Sequence, residues 1–138
     1  MPAVKVSALF QQISQWKNFA AHFYNYKVCG DLPALFGRDE KLDLTGVWHI
    51  HLANTLNVQQ LWAKHKDPFY RTTRLNDPEN DYWLLYAYDD YRDEYLLLTI
   101  IGPDAHSRQE WGSYLRNIHS QIVEPWVVGS LVYPDIDD

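Results

Sequence analysis

Tyr82-Trp83-Leu84-Leu85-Tyr86-Ala87-Tyr88 is followed, after six residues, by Tyr95-Leu96-Leu97-Leu98-Thr99-Ile100-Ile101. Both runs are aromatic and apolar, and Asp89-Asp90-Tyr91-Arg92-Asp93-Glu94 lies between them. Two such runs around a short polar loop predict a β-hairpin. Their near-continuous hydrophobicity predicts burial on both faces, in the middle of a sheet. Neither approaches the ~20 residues that a membrane-spanning helix needs, so no bilayer crossing is expected.

The flanks extend this hairpin in both directions. Downstream, Gly102-Pro103-Asp104-Ala105 breaks the second strand. Ser107 and Glu110 then stand at capping-box spacing, opening a helix with Trp111, Tyr114, Leu115, Ile118 and Ile122 as its stripe. Pro125 is expected to end it. Upstream, Val47–Ala53 alternates as a strand, with Trp48, Ile50 and Leu52 facing one way and His49 and His51 the other. Residues 58–65 read as a short helix, and residues 70–78 as a polar segment closed by a turn. Residues 31–45 read as a turn-rich connection, with Gly37-Arg38-Asp39 as a polar corner. Residues 7–28 carry apolar side chains at three- and four-residue steps, predicting one amphipathic helix from Ser7 to Gly30. The layout is that of a single α+β domain over residues 1–138, a small antiparallel sheet flanked by helices. The acidic residues 134–138 are expected to fray.

Composition narrows the function classes. One cysteine, Cys29, rules out a disulfide framework and a cysteine-rich zinc ribbon. With 46% hydrophobic and 22% charged residues the chain is an ordinary globular sequence. No apolar segment leading to a small-residue cleavage site opens the chain, so a cytoplasmic location is expected. The net charge of −6 argues against a phosphate binder, but its distribution does not. Residues 1–28 hold three bases and no acid, and residues 58–76 hold four bases, Lys64 and Lys66 among them, against one acid. Residues 77–138 hold three bases and thirteen acids, so a basic face on an acidic protein is possible.

Three groups of residues can carry chemistry. His49 and His51, two apart on a strand, share a face about 7 Å apart and can address one substrate or one metal. Arg71, Thr72, Thr73, Arg74, Asn76 and Asp77 combine guanidiniums with hydroxyls and an amide, which suits phosphate. His106, in Pro103-Asp104-Ala105-His106, stands where a helix starts and can donate to an anion or serve as a general acid. There is no glycine-rich phosphate loop and no G-x-S-x-G elbow.

Read together, Leu32-Pro33-Ala34-Leu35-Phe36-Gly37-Arg38-Asp39, His49-Ile50-His51-Leu52-Ala53, Thr73-Arg74-Leu75-Asn76-Asp77 and Pro103-Asp104-Ala105-His106 resemble the YafO family of bacterial type II toxins over about residues 20–125. The resemblance implies a RelE/ParE-like toxin fold. It implies a messenger-RNA interferase acting on transcripts at the ribosome, neutralised by a cognate antitoxin and needing no metal or other cofactor. The 2′-hydroxyl would attack the neighbouring phosphate, with His49 or His51 and His106 as base and acid. Arg74, aided by Arg71 or Arg38, would hold the phosphate, and Asp77 would orient a histidine or serve as base. Lys64, Lys66, Thr73 and Asn76 would contact RNA. The acidic tail and the acidic 89–94 loop depart from a basic RNA binder. The main alternative is therefore a non-catalytic module that docks on the ribosome or another protein, and a lesser one a metal-dependent hydrolase built on His49, His51 and His106.

Overall fold

A computed structural model describes residues 2–73 and 76–137. The hairpin forms as expected: β4 (Tyr82–Asp89) and β5 (Glu94–Ile101) pair antiparallel, with Tyr88 opposite Tyr95 and Trp83 opposite Ile101. β3 (Val47–Leu52) pairs antiparallel with β4, and β2 (Phe36–Lys41) with β3. A further strand, β1 (Ala3–Val6), lies parallel to β5 on its other side. The sheet is thus mixed rather than purely antiparallel, five-stranded in the order β1-β5-β4-β3-β2.

Helices cover both faces. α1 (Trp16–Cys29) sets Ala20 and Phe23 against Ile50, Leu84, Tyr86 and Leu97. The opposite face is covered by α3 (Arg108–Ile118) and α4 (Glu124–Val127), whose Ile118 and Trp126 pack on Val47, Leu85, Ala87, Leu96 and Leu98. α2 (Leu56–Trp62), capped by the Thr55 hydroxyl, packs separately with Val58 and Trp62.

The structure differs from the sequence reading at four places, each with a local cause. Residues 7–28 are not one helix. Val4 and Val6 are buried alternately with Lys5, a strand period, and Ser7 Oγ accepts from Phe10 N–H while donating to Leu98 O. That pins a turn before α1 begins; Gly30 then ends α1 with φ +76°, as expected. Residues 36–41 form an edge strand instead of a connection. Its Arg38, Asp39 and Glu40 side chains are engaged, and a bulge between Phe36 and Asp39 shifts the register against β3. Pro125 does not stop the last helix. Having no N–H to offer, it is accommodated by a π-helical turn over His119–Val123 and sits in the first turn of α4. Residues 134–136, expected to fray, pair with β1: Val6 N–H donates to Pro134 O, Ile136 N–H donates to Val4 O, and Lys5 lies 3.1 Å from the Asp135 carboxylate.

One glycine is fixed by its neighbour. Gly102, at φ +145°, faces the Tyr82 ring, and a Cβ there would fall 2.3 Å from Tyr82 Cδ1. Gly102→Ala is expected to lower stability by ~1–3 kcal/mol, read as a shift of the urea midpoint, because it overpacks a fixed ring.

Candidate active site

The face of the sheet that meets α3 carries the histidines. His49 and His51 alternate with Ile50 and Leu52 along β3, so both imidazoles leave on the side opposite α1. Their rings are 5.2 Å apart between centroids. His51 lies opposite Trp83 on β4, and the Trp83 ring is 4.2 Å from His49 and 4.6 Å from His106. The ring of His106 is 5.6 Å from that of His51. Three imidazoles are therefore gathered around one indole.

His106 is held by a carboxylate that the sequence reading did not single out. Asp81 precedes β4 and His106 follows β5, so closure of the hairpin brings them together. Ala105 N–H donates to Asp81 O, and Asp81 Oδ2 accepts from His106 N–H at 3.0 Å and faces His106 Nδ1 at 2.5 Å. The Asp81 side chain is 5% exposed and that of His106 43%. The contact at Nδ1 orients the imidazole, while the ring edge stays open to solvent. The equal arms of the hairpin were the signal for this pair, since they put the residue before one strand beside the turn after the other.

His49 and His51 are a different kind of histidine. Both are buried. Burial disfavours the charged imidazole at each, and at His51 the neighbouring His49, His106 and Arg38 add to the effect, lowering its pKa to about 3. Their Nδ1 atoms, Asp81 Oδ1 and Trp83 Nε1 are buried with no hydrogen-bond partner among the described residues. Four such atoms cost about 1–3 kcal/mol each. Gathered in one place, they mark a region shaped by something other than stability.

The depressed His51 pKa has a sign. Above pH 6.5 the ring is neutral in both folded and unfolded chains. Below that the unfolded chain takes up a proton that the folded site refuses. Stability is therefore full above pH 6.5 and lost as pH falls toward 3, at ~1.4 kcal/mol per pH unit for this one group. About 2 kcal/mol should disappear between pH 6.5 and pH 5, and His51→Leu should flatten that slope in urea titrations at several pH values.

The cationic candidates divide. Arg38, on β2, lies close enough to His51 for its charge to act there, with its guanidinium 4.0 Å over the Phe69 ring and Nε 3.6 Å from Glu40. Glu40 lies opposite His49 in register, a second acid that the sequence reading passed over because β2 was not seen as a strand. Arg71 is engaged elsewhere: its Nε donates to His65 O, and its Nη1 to Pro33 O and Phe36 O. It clamps the chain around β2 rather than presenting a charge. Lys64, Thr73 and Asp77 line a separate hollow of about 630 Å³ beside α2, where Asp77 accepts from Asn80 and Thr73 donates to Asn80 O. Asp77 thus holds Asn80, and the carboxylate on His106 is Asp81. Lys66 and Asn76 are exposed, and Arg74 lies outside the described residues. Among the described residues no group of three His, Cys, Asp or Glu is placed to hold a metal ion.

Comparison with known proteins gives a consistent picture. The family model described as "Toxin YafO, type II toxin-antitoxin system" matches residues 24–127, a stretch holding the whole cluster from Arg38 to His106. Over 95 residues the chain is 32% identical to the mRNA interferase toxin YafO of Escherichia coli (strain K12), covering 62% of this chain and 66% of that relative's length. The chain therefore spans just under two thirds of that relative. No solved structure matches.

Proposed function

The chain belongs to the YafO toxin family of type II toxin–antitoxin systems, and from that premise we propose that it is an endoribonuclease that cuts messenger RNA by metal-independent 2′-hydroxyl attack. The observation that carries the reading is the Asp81–His106 pair, open to solvent and set against Trp83 and His51. An oriented imidazole with an exposed edge is the group this reaction needs. The 2′-oxygen bonds to phosphorus as a base removes its proton. The 5′-oxygen leaves with a proton from an acid, giving a 2′,3′-cyclic phosphate and a 5′-hydroxyl. His106 takes one proton-transfer role and Glu40 or His49 the other. Arg38 offsets the charge that builds on the phosphate. Asp81 is a positioning residue, as is His51, whose depressed pKa keeps it neutral at working pH. The same reading includes a RelE/ParE-like fold, a cytoplasmic location, cutting of transcripts engaged by the ribosome, and a cognate antitoxin as partner.

A second reading, a non-catalytic module docking on the ribosome or another protein, draws support from the burial of His49 and His51. Near-closed imidazoles are as well suited to holding a fold as to reaching a substrate.

The test is expression under a tight promoter with mapping of transcript ends. Ribonuclease action predicts growth arrest with new cuts inside translated regions. The new 5′-ends should carry hydroxyls, the 3′-ends cyclic phosphates, and EDTA should leave cleavage by purified protein unchanged. Arrest without new ends would favour the docking module, and metal-dependent cutting would sink the mechanism.

A further inference from the structure

We propose that the groove beside His106 receives one unpaired nucleobase of the RNA, the base next to the phosphate being cut. The proposal rests on the ribonuclease reading above and adds to it where, and how, the strand is read. The groove holds about 400 Å³ and opens between α3 and the turn joining β2 to β3, with Trp83 and His106 at one end. That volume lies within the ~300–1,000 Å³ usual for small-molecule sites. It reaches the His106 ring that Asp81 holds, which the hollows beside α1 and α2 do not.

Its chemistry suits a base. Leu42 and Leu44 make one wall apolar. Trp111 offers an indole from the other wall, its Nε1–H tied to Pro103 O at 3.3 Å. A flat apolar slot with a fixed indole is a stacking platform for any base. The Asp43 carboxylate also lines the groove and can accept from the exocyclic amine of adenine, cytosine or guanine, which uracil lacks.

Charge and helix composition point to the same place. Residues 77–138 hold three bases, Arg92, Arg108 and Arg116. Arg92 is paired with Asp89, at 2.6 Å. Both others line this groove, so the acidic half of the chain sets its remaining arginines where a phosphate next to the bound base would lie. Gly112, inside α3, also lines the groove. Glycine disfavours a helix interior, and no positive φ requires it there. What it does is leave space: a Cβ at this position would stand 3.3 Å from Arg116 Nη1.

The experiment titrates the full chain with the four nucleoside 3′-monophosphates and follows the Trp111 indole N–H resonance. Saturable shifts are expected, weakest with the uridine nucleotide. Trp111→Ala should weaken binding by ~5–150-fold, the range for one lost stacked base. Gly112→Ala should weaken binding while raising the melting temperature, because alanine favours the helix and narrows the groove. A merely structural glycine would move only the second readout. The proposal fails if no nucleotide gives a saturable shift, or if Gly112→Ala leaves binding unchanged. It fails equally if that variant weakens capture of the cognate antitoxin and not of nucleotides, since the groove would then serve a protein. Transcript mapping separates the two readings. Cuts that depend on His106 without nucleotide shifts overturn the groove alone. Nucleotide binding without cuts keeps the groove as a nucleotide site and overturns the ribonuclease.

Discussion

Replacing His106 with alanine is expected to slow RNA cleavage by ~10²–10⁴-fold, the usual contribution of a positioned general acid or base. The fold should survive. The ring is 43% exposed, and Asp81 keeps the backbone N–H of residue 106 as a donor. A stability loss of about 1–3 kcal/mol is expected from removing one partner of this carboxylate. Asp81→Asn makes the sharper comparison. It preserves shape but replaces the carboxylate that faces His106 Nδ1 with an amide, so the ring loses its orienting partner and kcat should fall while KM for a defined RNA stays near that of the unsubstituted protein. A structural aspartate would alter stability and leave kcat in place. Full activity in His106→Ala, measured on a defined RNA, would move the chemistry away from this end of the sheet.

Asp39→Ala should produce the largest loss of stability, ~3–5 kcal/mol, the cost of stranding a partly buried charge. Asp39 Oδ2 accepts from Tyr26 OH at 3.1 Å and from Lys27 Nζ, and Oδ1 accepts from Tyr86 OH at 2.6 Å. Its side chain is 8% exposed. Burial, together with this carboxylate, pushes both phenols above their ordinary pKa. Without Asp39 the Lys27 ammonium remains against the Tyr26 and Tyr86 rings, 4.9 and 5.0 Å from their centroids, with no carboxylate to balance it. Against a typical total of ~5–15 kcal/mol the loss would be a large fraction of the fold. Asp39→Leu combined with Lys27→Met should recover much of it in equilibrium urea unfolding, because the penalty lies in the unpaired charge and not in the missing ion pair.

The legible parts of this chain were those with strong local pattern. The β4–β5 hairpin, the alternation of His49 and His51 with Ile50 and Leu52, and the Ser107 cap all follow from spacing, and the structure has them. What was not legible depended on long-range partners. β1 is four residues long, too short to show its period beside the apolar stripe that follows. β2 reads as polar because its inward Asp39 finds its partners, Lys27 and the Tyr26 and Tyr86 hydroxyls, on α1 and β4. The same distance rule applied to the site. The histidines could be chosen by type and spacing, but the choice of Asp81 over Asp77 needed the closure of the hairpin. Arg71 has the composition of a phosphate ligand and the neighbours of a structural clamp, a distinction held by the carbonyls of Pro33, Phe36 and His65.

The pairing of β1 sets an order of assembly. β2 through β5 form a meander in which each strand meets the one before it; His49, His51, Asp81 and Trp83 lie within its span, and His106 follows shortly after β5. β1 has to find residues 94–97, and its outer edge is then finished by residues 134–136. Contacts so far apart in the chain carry a heavy loop-closure cost before they return anything. The centre of the sheet can therefore organise early and from local information, while its outer edge waits for the two ends of the chain to meet. The proposed site is built mainly on the part that forms first, and the part that closes last is a fastening around it.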